Sequence, residues 1–432
     1  MHNLYKKTDI KNPENSLVFI KSRISFDSIL TDFQKFAYTI QLAEQIFLQQ
    51  NLENSKNKMT IWVKEPEKFV QEKENLENFF TAFFEYNVSL DIIKDDTNPP
   101  GSQVRLVESD YSFDFACLFS GGLDSATYAV ENNLKNKNGI LHHTITNDNP
   151  FGKAIKLYSK HLKNSRFHLT STRGENKVSQ PQYLKTRGLI FLTNLLCIAS
   201  NFKILKAIIP ENGPFMVNVA ISPSAEPTRT TNPYMIKEWT EIFNRITNSN
   251  IIIETPYFDQ TKSDVIIRVG SNKIIQDTWS CSSFQGLSKM CGMCNSCLVR
   301  ILSCYAINEG ENLESSYTEN PFLITFSKLK NMKQNSYRVS LDAIDFWAKI
   351  INPSLSRTTI EKDRFETIRE NYRVMINHSL DMFLGFENLM KKYNSSEPLF
   401  LHFKEMLEKI DKKTLKNRSD NLQRNKEKWG WK

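Results

Sequence analysis

The chain has 432 residues, which leaves room for two or three domains, and its 40% hydrophobic and 24% charged residues are typical of a globular protein. A formal net charge of +8 is compatible with nucleic acid or an anionic small molecule as partner. It is weak evidence for either, because the chain is rich in Lys and Asn throughout. No apolar segment follows the first residues, and polar residues interrupt the most apolar stretch, 189–209. We therefore expect no signal peptide and no membrane span, and a cytoplasmic protein.

The first part of the chain predicts a small accessory region over residues 1–108. Its hydrophobic periodicity changes repeatedly between the spacing of a strand and that of a helix. The predicted elements are a strand at 16–20, a helix at 31–48, a strand at 59–63, a helix at 66–86 and a strand at 88–93. No catalytic motif lies in this β-α-β-α-β unit, and the turn-rich segment 95–101 predicts a linker after it.

Residues 109–310 predict an α/β domain. Strands are expected near 115–119, 139–146, 166–170, 206–209 and 251–254, and helices at 126–134, 151–162, 183–199, 235–246 and 262–269. Strands that alternate with helices form a parallel sheet that is covered on both faces. Ligands of such a sheet bind at the carboxyl ends of its strands, near the point where the strand order reverses.

The rest of the chain, 311–432, predicts a helical region. The best helical stretches are 341–350, 360–375, 379–392 and 399–410. Residues 412–432 mix Lys, Arg, Asn and Asp, and predict a basic, solvated, partly mobile tail. Contact between this tail and nucleic acid is a less favoured alternative.

A glycine turn in the segment 115–127 is the first motif that indicates chemistry. An apolar strand is followed by Ser120-Gly121-Gly122, then Asp124 and Ser125, and then a helix. The glycines permit a positive φ, and the free N–H groups at a helix start bind phosphate with help from the helix dipole. The Lys-Ser/Thr pair of a Walker loop and the third Gly of a dinucleotide loop are both missing. An ordinary turn with two glycines is the alternative.

Four of the seven cysteines form the second motif. Their Cys-x-x-Cys-x-x-Cys spacing, with one further thiol upstream, provides a tetrahedral sulfur set that suits Zn²⁺. An iron–sulfur cluster is the alternative, because thiolates bind both. The four are Cys281, Cys291, Cys294 and Cys297. The other three, Cys117, Cys197 and Cys304, are expected to be buried core residues.

Ser-Gly-Gly-Leu-Asp-Ser resembles the pyrophosphate loop, or PP-loop, of the N-type ATP pyrophosphatases, which predicts a Rossmann-like, adenine nucleotide alpha hydrolase-like domain. A PP-loop followed by the cysteine cluster resembles the 7-cyano-7-deazaguanine synthases, the QueC family. Three further segments support the resemblance, which covers roughly 114–307. They are 183–192 with Arg187, 254–262 with Lys262, and 279–300 with the cysteines.

The resemblance implies an ATP-dependent ligase. The family converts a carboxylate on a deazaguanine base, through an acyl-adenylate, to an amide and then a nitrile, with Mg²⁺ and a structural zinc. By resemblance, ATP is bound by Ser120, Gly121, Gly122, Leu123, Asp124, Ser125, Arg187 and Lys262. Of these, Asp124, Arg187 and Lys262 are the catalytic candidates, and the two cations would stabilise the pyrophosphate leaving group. Without the motif, Arg187 would be an ordinary surface residue and Lys262 a solvated loop residue.

Two segments depart from the family. Residues 146–150 lack its acidic and aromatic segment, and a longer run after Glu211 replaces its short base-reading segment. The substrate base is expected there, with Glu211, Asn212 and Arg229 as the binding candidates. ATP use is therefore better supported by the sequence than the identity of the substrate.

The extra regions at both ends resemble the longer QueC-like proteins of Qat-type anti-phage defence systems (QatC), which occur with an ATPase and a nuclease. This resemblance implies a deazapurine-type substrate and a partner protein of the same defence system. A thiolase-like, tRNA-modifying PP-loop enzyme and a non-catalytic ATP-sensing module are the alternatives. The acceptor, the product and the oligomeric state do not follow from the sequence.

Overall fold

The computed structural model describes residues 21–22, 26–50, 57–84, 86–96, 112–145, 151–162, 165–171, 186–217, 231–270, 272–281, 289–324, 331–352 and 371–431. The strands are β1 (Lys21–Ser22), β2 (Asn57–Val63), β3 (Val88–Lys94), β4 (Phe115–Leu118), β5 (Gly139–Ile145), β6 (Arg166–Ser171), β7 (Lys206–Ile208) and β8 (Ile252–Glu254). The helices before β8 are α1 (Ser28–Gln50), α2 (Pro66–Gln71), α3 (Lys73–Phe84), α4 (Leu123–Leu134), α5 (Phe151–His161), α6 (Arg187–Asn201), α7 (Gly213–Val217) and α8 (Pro233–Thr247). Those after it are α9 (Lys262–Val269), α10 (Asn272–Asp277), α11 (Asn295–Ala306), α12 (Asn331–Ile351), α13 (Tyr372–Met390), α14 (Pro398–Glu408) and α15 (Lys412–Lys428).

A mainly parallel sheet organises the middle of the chain, in the order β1-β6-β5-β4-β7-β8. Strands β4 to β8 run parallel, and β1 pairs antiparallel with β6 at the edge. Strand β5, which follows β4 in the chain, pairs with one side of β4, whereas β7 pairs with its other side. The strand order therefore reverses between β4 and β7, and the mixed α/β prediction with a parallel sheet is confirmed.

The N-terminal region packs on the α/β part through aromatic side chains. Strands β2 and β3 form a separate parallel pair, and the predicted helix 66–86 is divided into α2 and α3. Trp239 of α8 lies between rings of the N-terminal helices, with centroid distances of 5.1 Å to Phe33 and 5.2 Å to Phe79. These rings belong to one hydrophobic core that also includes residues of α6 and α8. The predicted strand 16–20 lies outside the described residues.

The expectation of a loose C-terminal tail is wrong, because the tail forms helix α15. Asp411 caps it by accepting hydrogen bonds from two backbone N–H groups. Leu415, Arg418 and Leu422 are buried along one narrow face. Trp431 donates its indole N–H to the carbonyl of Ile267 in α9, at 2.6 Å. Three residues at helical spacing therefore hold this helix against the core. The many charged residues around them make this pattern hard to recognise in the sequence.

The other helical predictions agree with the structure where they can be compared. Helices α12, α13 and α14 include the predicted stretches 341–350, most of 379–392 and most of 399–410. The predicted helix 360–375 falls largely on residues outside the described part of the chain, which resumes at 371. No helix among the described residues is both long enough and apolar enough to cross a bilayer.

We predict that a fragment of residues 110–307 is poorly soluble on its own. The apolar sides of α6 and α8 pack on the N-terminal region, and α11 and α9 share a second core with the C-terminal helices. Truncation would expose both faces, and large exposed apolar patches cause aggregation. Soluble yield and size-exclusion chromatography, with the full chain as control, measure the effect. A monodisperse fragment that binds ATP as the full chain does would mean that the two ends are independent modules.

Candidate functional site

The glycine turn joins β4 to α4 at the carboxyl edge of the sheet. Gly121 has a φ of +77°, and a Cβ there would lie 2.8 Å from the Cα of Ala154, so only glycine fits. Gly122 stands at the cap position of α4 and donates its N–H to the hydroxyl of Ser120 at 3.1 Å. The hydroxyl of Ser125 lies 3.2 Å from the carbonyl of Gly122. The turn thus presents the first N–H groups of a helix, which have no partner within that helix.

The segment before the first cysteine of the cluster supports this turn from behind. The N–H of Trp279 donates to the carbonyl of Gly121 at 2.9 Å. The ammonium of Lys153 lies 4.8 Å from the centre of the Trp279 indole. Fully buried Arg300 donates to the hydroxyls of Thr278, at 2.6 Å, and Ser280, at 3.1 Å. The glycine turn and the cysteine cluster are therefore parts of one packed unit.

Four polar side chains meet beneath the glycine turn. The ammonium of Lys262 lies 2.7 Å from both carboxylate oxygens of Asp124, and the side-chain amide of Asn212 donates to Asp124 Oδ2 at 2.7 Å. Burial, and then the neighbouring carboxylate of Asp124, raise the pKa of Glu211 to about 8. Asp124 follows β4, and Glu211 and Asn212 follow β7, so these predicted residues lie at the reversal point of the sheet.

Lys262 is the first residue of α9 and is 8% exposed. Thr261 and Asp264 form a capping box at the start of this helix, which fixes the backbone next to Lys262. The ammonium also lies 5.0 Å from the centre of the Phe215 ring. Lys262 is therefore a buried, ion-paired side chain and not a solvated loop residue.

The structure describes fewer contacts for the other residues that are predicted to bind ATP or the substrate. Arg187 is the first residue of α6, where its guanidinium stacks 5.8 Å from the centre of the Phe191 ring. Its action on a bound phosphate stays a prediction. Arg229 and the segment 146–150 lie outside the described residues.

The four predicted metal-binding cysteines converge on one buried point. Their sulfur atoms all lie within 4.8 Å of one another, with Sγ–Sγ distances of 3.9 Å for Cys291–Cys297 and 4.0 Å for Cys281–Cys294. A tetrahedral ZnS₄ centre with bonds of about 2.3 Å requires sulfurs about 3.8 Å apart. The N–H of Cys294 lies 3.3 Å from Cys291 Sγ, as in a zinc knuckle. The donor set therefore fits a structural zinc.

Gly292 lets this knuckle close against the next loop. It has a φ of +77°, and a Cβ there would lie 1.9 Å from the carbonyl oxygen of Glu319. The three remaining cysteines are buried in the hydrophobic cores, as predicted from their apolar surroundings. They are Cys117, Cys197 and Cys304.

Sequence reasoning missed a polar cluster that contacts the start of α9. Arg418 of α15 and Asp381 of α13 form a buried ion pair at 2.7 Å, and Asp381 accepts a hydrogen bond from the hydroxyl of Thr261 at 2.6 Å. His378 of α13 is buried nearby. These residues lie more than a hundred positions from Thr261 along the chain, and no local spacing signals their meeting.

His378 leads to a prediction about acid stability. Burial, and then the charges of Lys262 and Arg418, lower the pKa of His378 from 6.5 to about 3. The unfolded chain binds this proton below about pH 6.5, whereas the folded chain binds it only near pH 3. We therefore expect the contribution of His378 to stability to be complete above pH 6.5 and to fall as the pH drops through that window.

The variant His378→Phe should remove this pH dependence while keeping a ring against Trp347, whose centroid lies 5.9 Å away. The measurement is the difference in Tm between the wild type and the variant at several values from pH 7 to about pH 4. We expect the difference to move in favour of the variant as the pH is lowered. A difference that stays constant with pH would contradict the assignment.

Comparison with known proteins agrees with this geometry. Residues 130–307, under half of the chain, match the family model described as Queuosine biosynthesis protein QueC. The match includes Arg187, Glu211, Asn212, Lys262 and the four cysteines, but begins after the glycine turn. The match supports an ATP-using PP-loop enzyme. Because it does not include the glycine turn, the resemblance of the turn to a PP-loop depends on the residues and backbone geometry of the turn alone. No curated protein matches the chain.

Proposed function

We propose that this protein is an ATP-dependent ligase that adenylates a substrate carboxylate and releases pyrophosphate. The observation that carries the proposal is the buried Asp124–Lys262 pair, with Glu211 and Asn212, directly beneath a glycine turn at the reversal point of a parallel sheet. A cation and two carboxyl groups beside the free N–H groups of a helix start are the set that the binding and cleavage of a nucleotide phosphate requires, which supports the proposal.

Each part of the cluster has a task in this reaction. The N–H groups of the turn and of α4 would hold the β and γ phosphates, which leaves the α phosphate open to the attacking carboxylate. Lys262, with Arg187, would stabilise the charge that develops on the departing pyrophosphate. The carboxylate of Asp124 suits Mg²⁺, which binds nucleotide phosphates through one or two protein carboxylates.

A deazaguanine-type carboxylic acid is the proposed substrate, and an amide, nitrile or conjugate the product. The match of residues 130–307 to the QueC family supports this substrate class. Glu211, Asn212 and Arg229 are the proposed contacts to the base. The proposal also includes a role in an anti-phage defence system of Qat type, with a partner protein in the cytoplasm. It rests only on the long regions on both sides of the matched segment.

The cysteines favour this ligase over a thiolase. A persulfide-forming thiolase needs an accessible thiolate, whereas all seven cysteines of the chain are buried and four of them converge on one cluster. The cluster lies behind the glycine turn and would hold zinc as a structural element.

The test is separation of the nucleotide products after incubation of the full chain with Mg-ATP and deazaguanine carboxylates. AMP and pyrophosphate that form only with the acid would support the proposal. ADP as the main product would contradict the PP-loop assignment. AMP formation that does not depend on any deazapurine would contradict the substrate class alone, and tRNA would be the next candidate. Absence of turnover with tight ATP binding would favour the sensing module.

A further inference from the structure

Both phosphate-directed cations of the proposed reaction are preceded by a threonine at the N-cap position of the helix that the cation begins. Thr186 precedes Arg187 at the start of α6, and Thr261 precedes Lys262 at the start of α9. Each threonine is fully buried. Each cation directly follows its threonine in the chain. The position of the threonine backbone therefore determines the point from which the Arg or Lys side chain extends.

Each threonine is held by a carboxylate from outside the α/β part of the chain. Glu44 of α1, in the N-terminal region, accepts hydrogen bonds from both the N–H of Thr186, at 2.9 Å, and its hydroxyl. Asp381 of α13, in the C-terminal region, accepts from the hydroxyl of Thr261 at 2.6 Å. Glu44 is 3% exposed and Asp381 is fully buried. Buried charge-assisted hydrogen bonds of this kind are short and directional.

The C-terminal contact is reinforced by a second charge. Arg418 of α15 donates to Asp381 at 2.7 Å and 2.9 Å, to Asp264 at 3.0 Å and to the hydroxyl of Thr261 at 3.1 Å. The Thr261 hydroxyl lies 3.0 Å from the carboxylate of Asp264 and 2.6 Å from that of Asp381, so its one proton is donated to the nearer acceptor, Asp381. The same hydroxyl accepts from Arg418 and from the N–H of Asp264. All three capacities of this hydroxyl are used, and only Thr or Ser can make these bonds.

We propose that the two terminal regions position the catalytic cations, Glu44 acting on Arg187 through Thr186 and Asp381 acting on Lys262 through Thr261. The inference rests on the proposed function, since it takes Arg187 and Lys262 as the groups that act on pyrophosphate. It gives the N-terminal and C-terminal regions a role inside the active site. Glu44, Asp381 and Arg418 are positioning residues, because they act through the threonines and do not touch the substrate.

The test compares Thr261→Val and Thr186→Val with the serine variants at the same positions. Valine keeps the shape and removes the hydroxyl, while serine keeps the hydroxyl. We expect each valine variant to lower kcat for AMP formation by about 10- to 100-fold with KM for ATP within about threefold, because a misplaced catalytic group loses mainly transition-state stabilisation. The serine variants should stay near the wild type.

Thr240→Val is the matched control for the loss of a buried threonine hydroxyl. Thr240 is buried in α8 and donates at 2.7 Å to a carbonyl of its own helix. This variant should retain the wild-type kcat. If Thr261→Val and Thr186→Val lower kcat no more than Thr240→Val does, or if serine fails to restore it, the positioning role is wrong.

A second measurement does not require turnover. The rate at which an acylating reagent modifies Lys262 is followed by mass spectrometry of digested full-length protein. We expect Thr261→Val and Asp381→Asn to raise this rate at least about threefold, because a displaced ammonium leaves its pairing with Asp124. An unchanged rate would overturn the C-terminal half of the inference. If the wild type makes no AMP, the proposed function fails, and the labelling still decides whether Asp381 and Thr261 position Lys262.

Discussion

Lys262→Met is expected to lower the rate of AMP formation by about 100- to 1000-fold while changing the affinity for ATP far less. The ammonium of Lys262 lies at the carboxyl edge of the sheet, 2.7 Å from Asp124. A charge that acts on the departing pyrophosphate is needed most in the transition state, so its loss appears in kcat. Steady-state kinetics and calorimetric ATP binding measure the two effects separately.

This substitution also leaves the Asp124 carboxylate buried without its partner. Breaking a buried pair in this way costs about 3–5 kcal/mol, so folding must be measured alongside activity. The double variant Lys262→Met/Asp124→Asn removes both charges and should recover stability without recovering turnover. Lys426→Met is the matched control, because Lys426 of α15 pairs with Glu309 at 3.0 Å and takes no part in the proposed reaction. Turnover by folded Lys262→Met within about threefold of the wild type would contradict the assigned role.

Cys294→Ser is expected to abolish zinc binding and most soluble expression, whereas the wild type should contain about one zinc per chain. Structural zinc contributes on the order of 10 kcal/mol to the folding of small zinc domains. Here it would join the segment before α11 to the loop that supports the glycine turn. Elemental analysis and soluble yield measure the outcome, and the fraction that folds should lose less ATP affinity than solubility.

Cys304→Ser is the control for the zinc experiment. Cys304 lies on α11, is fully buried, and has a pKa that burial raises to about 12, so it stays a neutral thiol. It makes no sulfur contact with the cluster among the described hydrogen bonds, and its substitution should leave the zinc content unchanged. Iron with acid-labile sulfide in the wild type would contradict the zinc assignment. So would a Cys294→Ser protein that retains the metal.

Residue order alone predicts the features that depend on local spacing. The two glycines after an apolar strand, the Cys-x-x-Cys-x-x-Cys run and the alternation of strands with helices are each encoded within a few residues. The structure confirms the positive φ of Gly121, the convergence of the four sulfurs and the parallel sheet. Backbone conformation, ligand spacing and periodicity are local properties, so residue order alone predicts them.

The contacts between distant side chains follow from the packed fold and from no local pattern. The Lys262–Asp124 pair joins residues 138 positions apart, and the Thr261–Asp381 hydrogen bond joins residues 120 positions apart. The prediction of a loose tail at 412–432 is wrong for the same reason, because charged residues dominate its composition while three buried residues pack it against the core. Such contacts depend on strand order and on which helix faces are buried together. These are long-range properties of the packed core, which no short stretch of sequence contains.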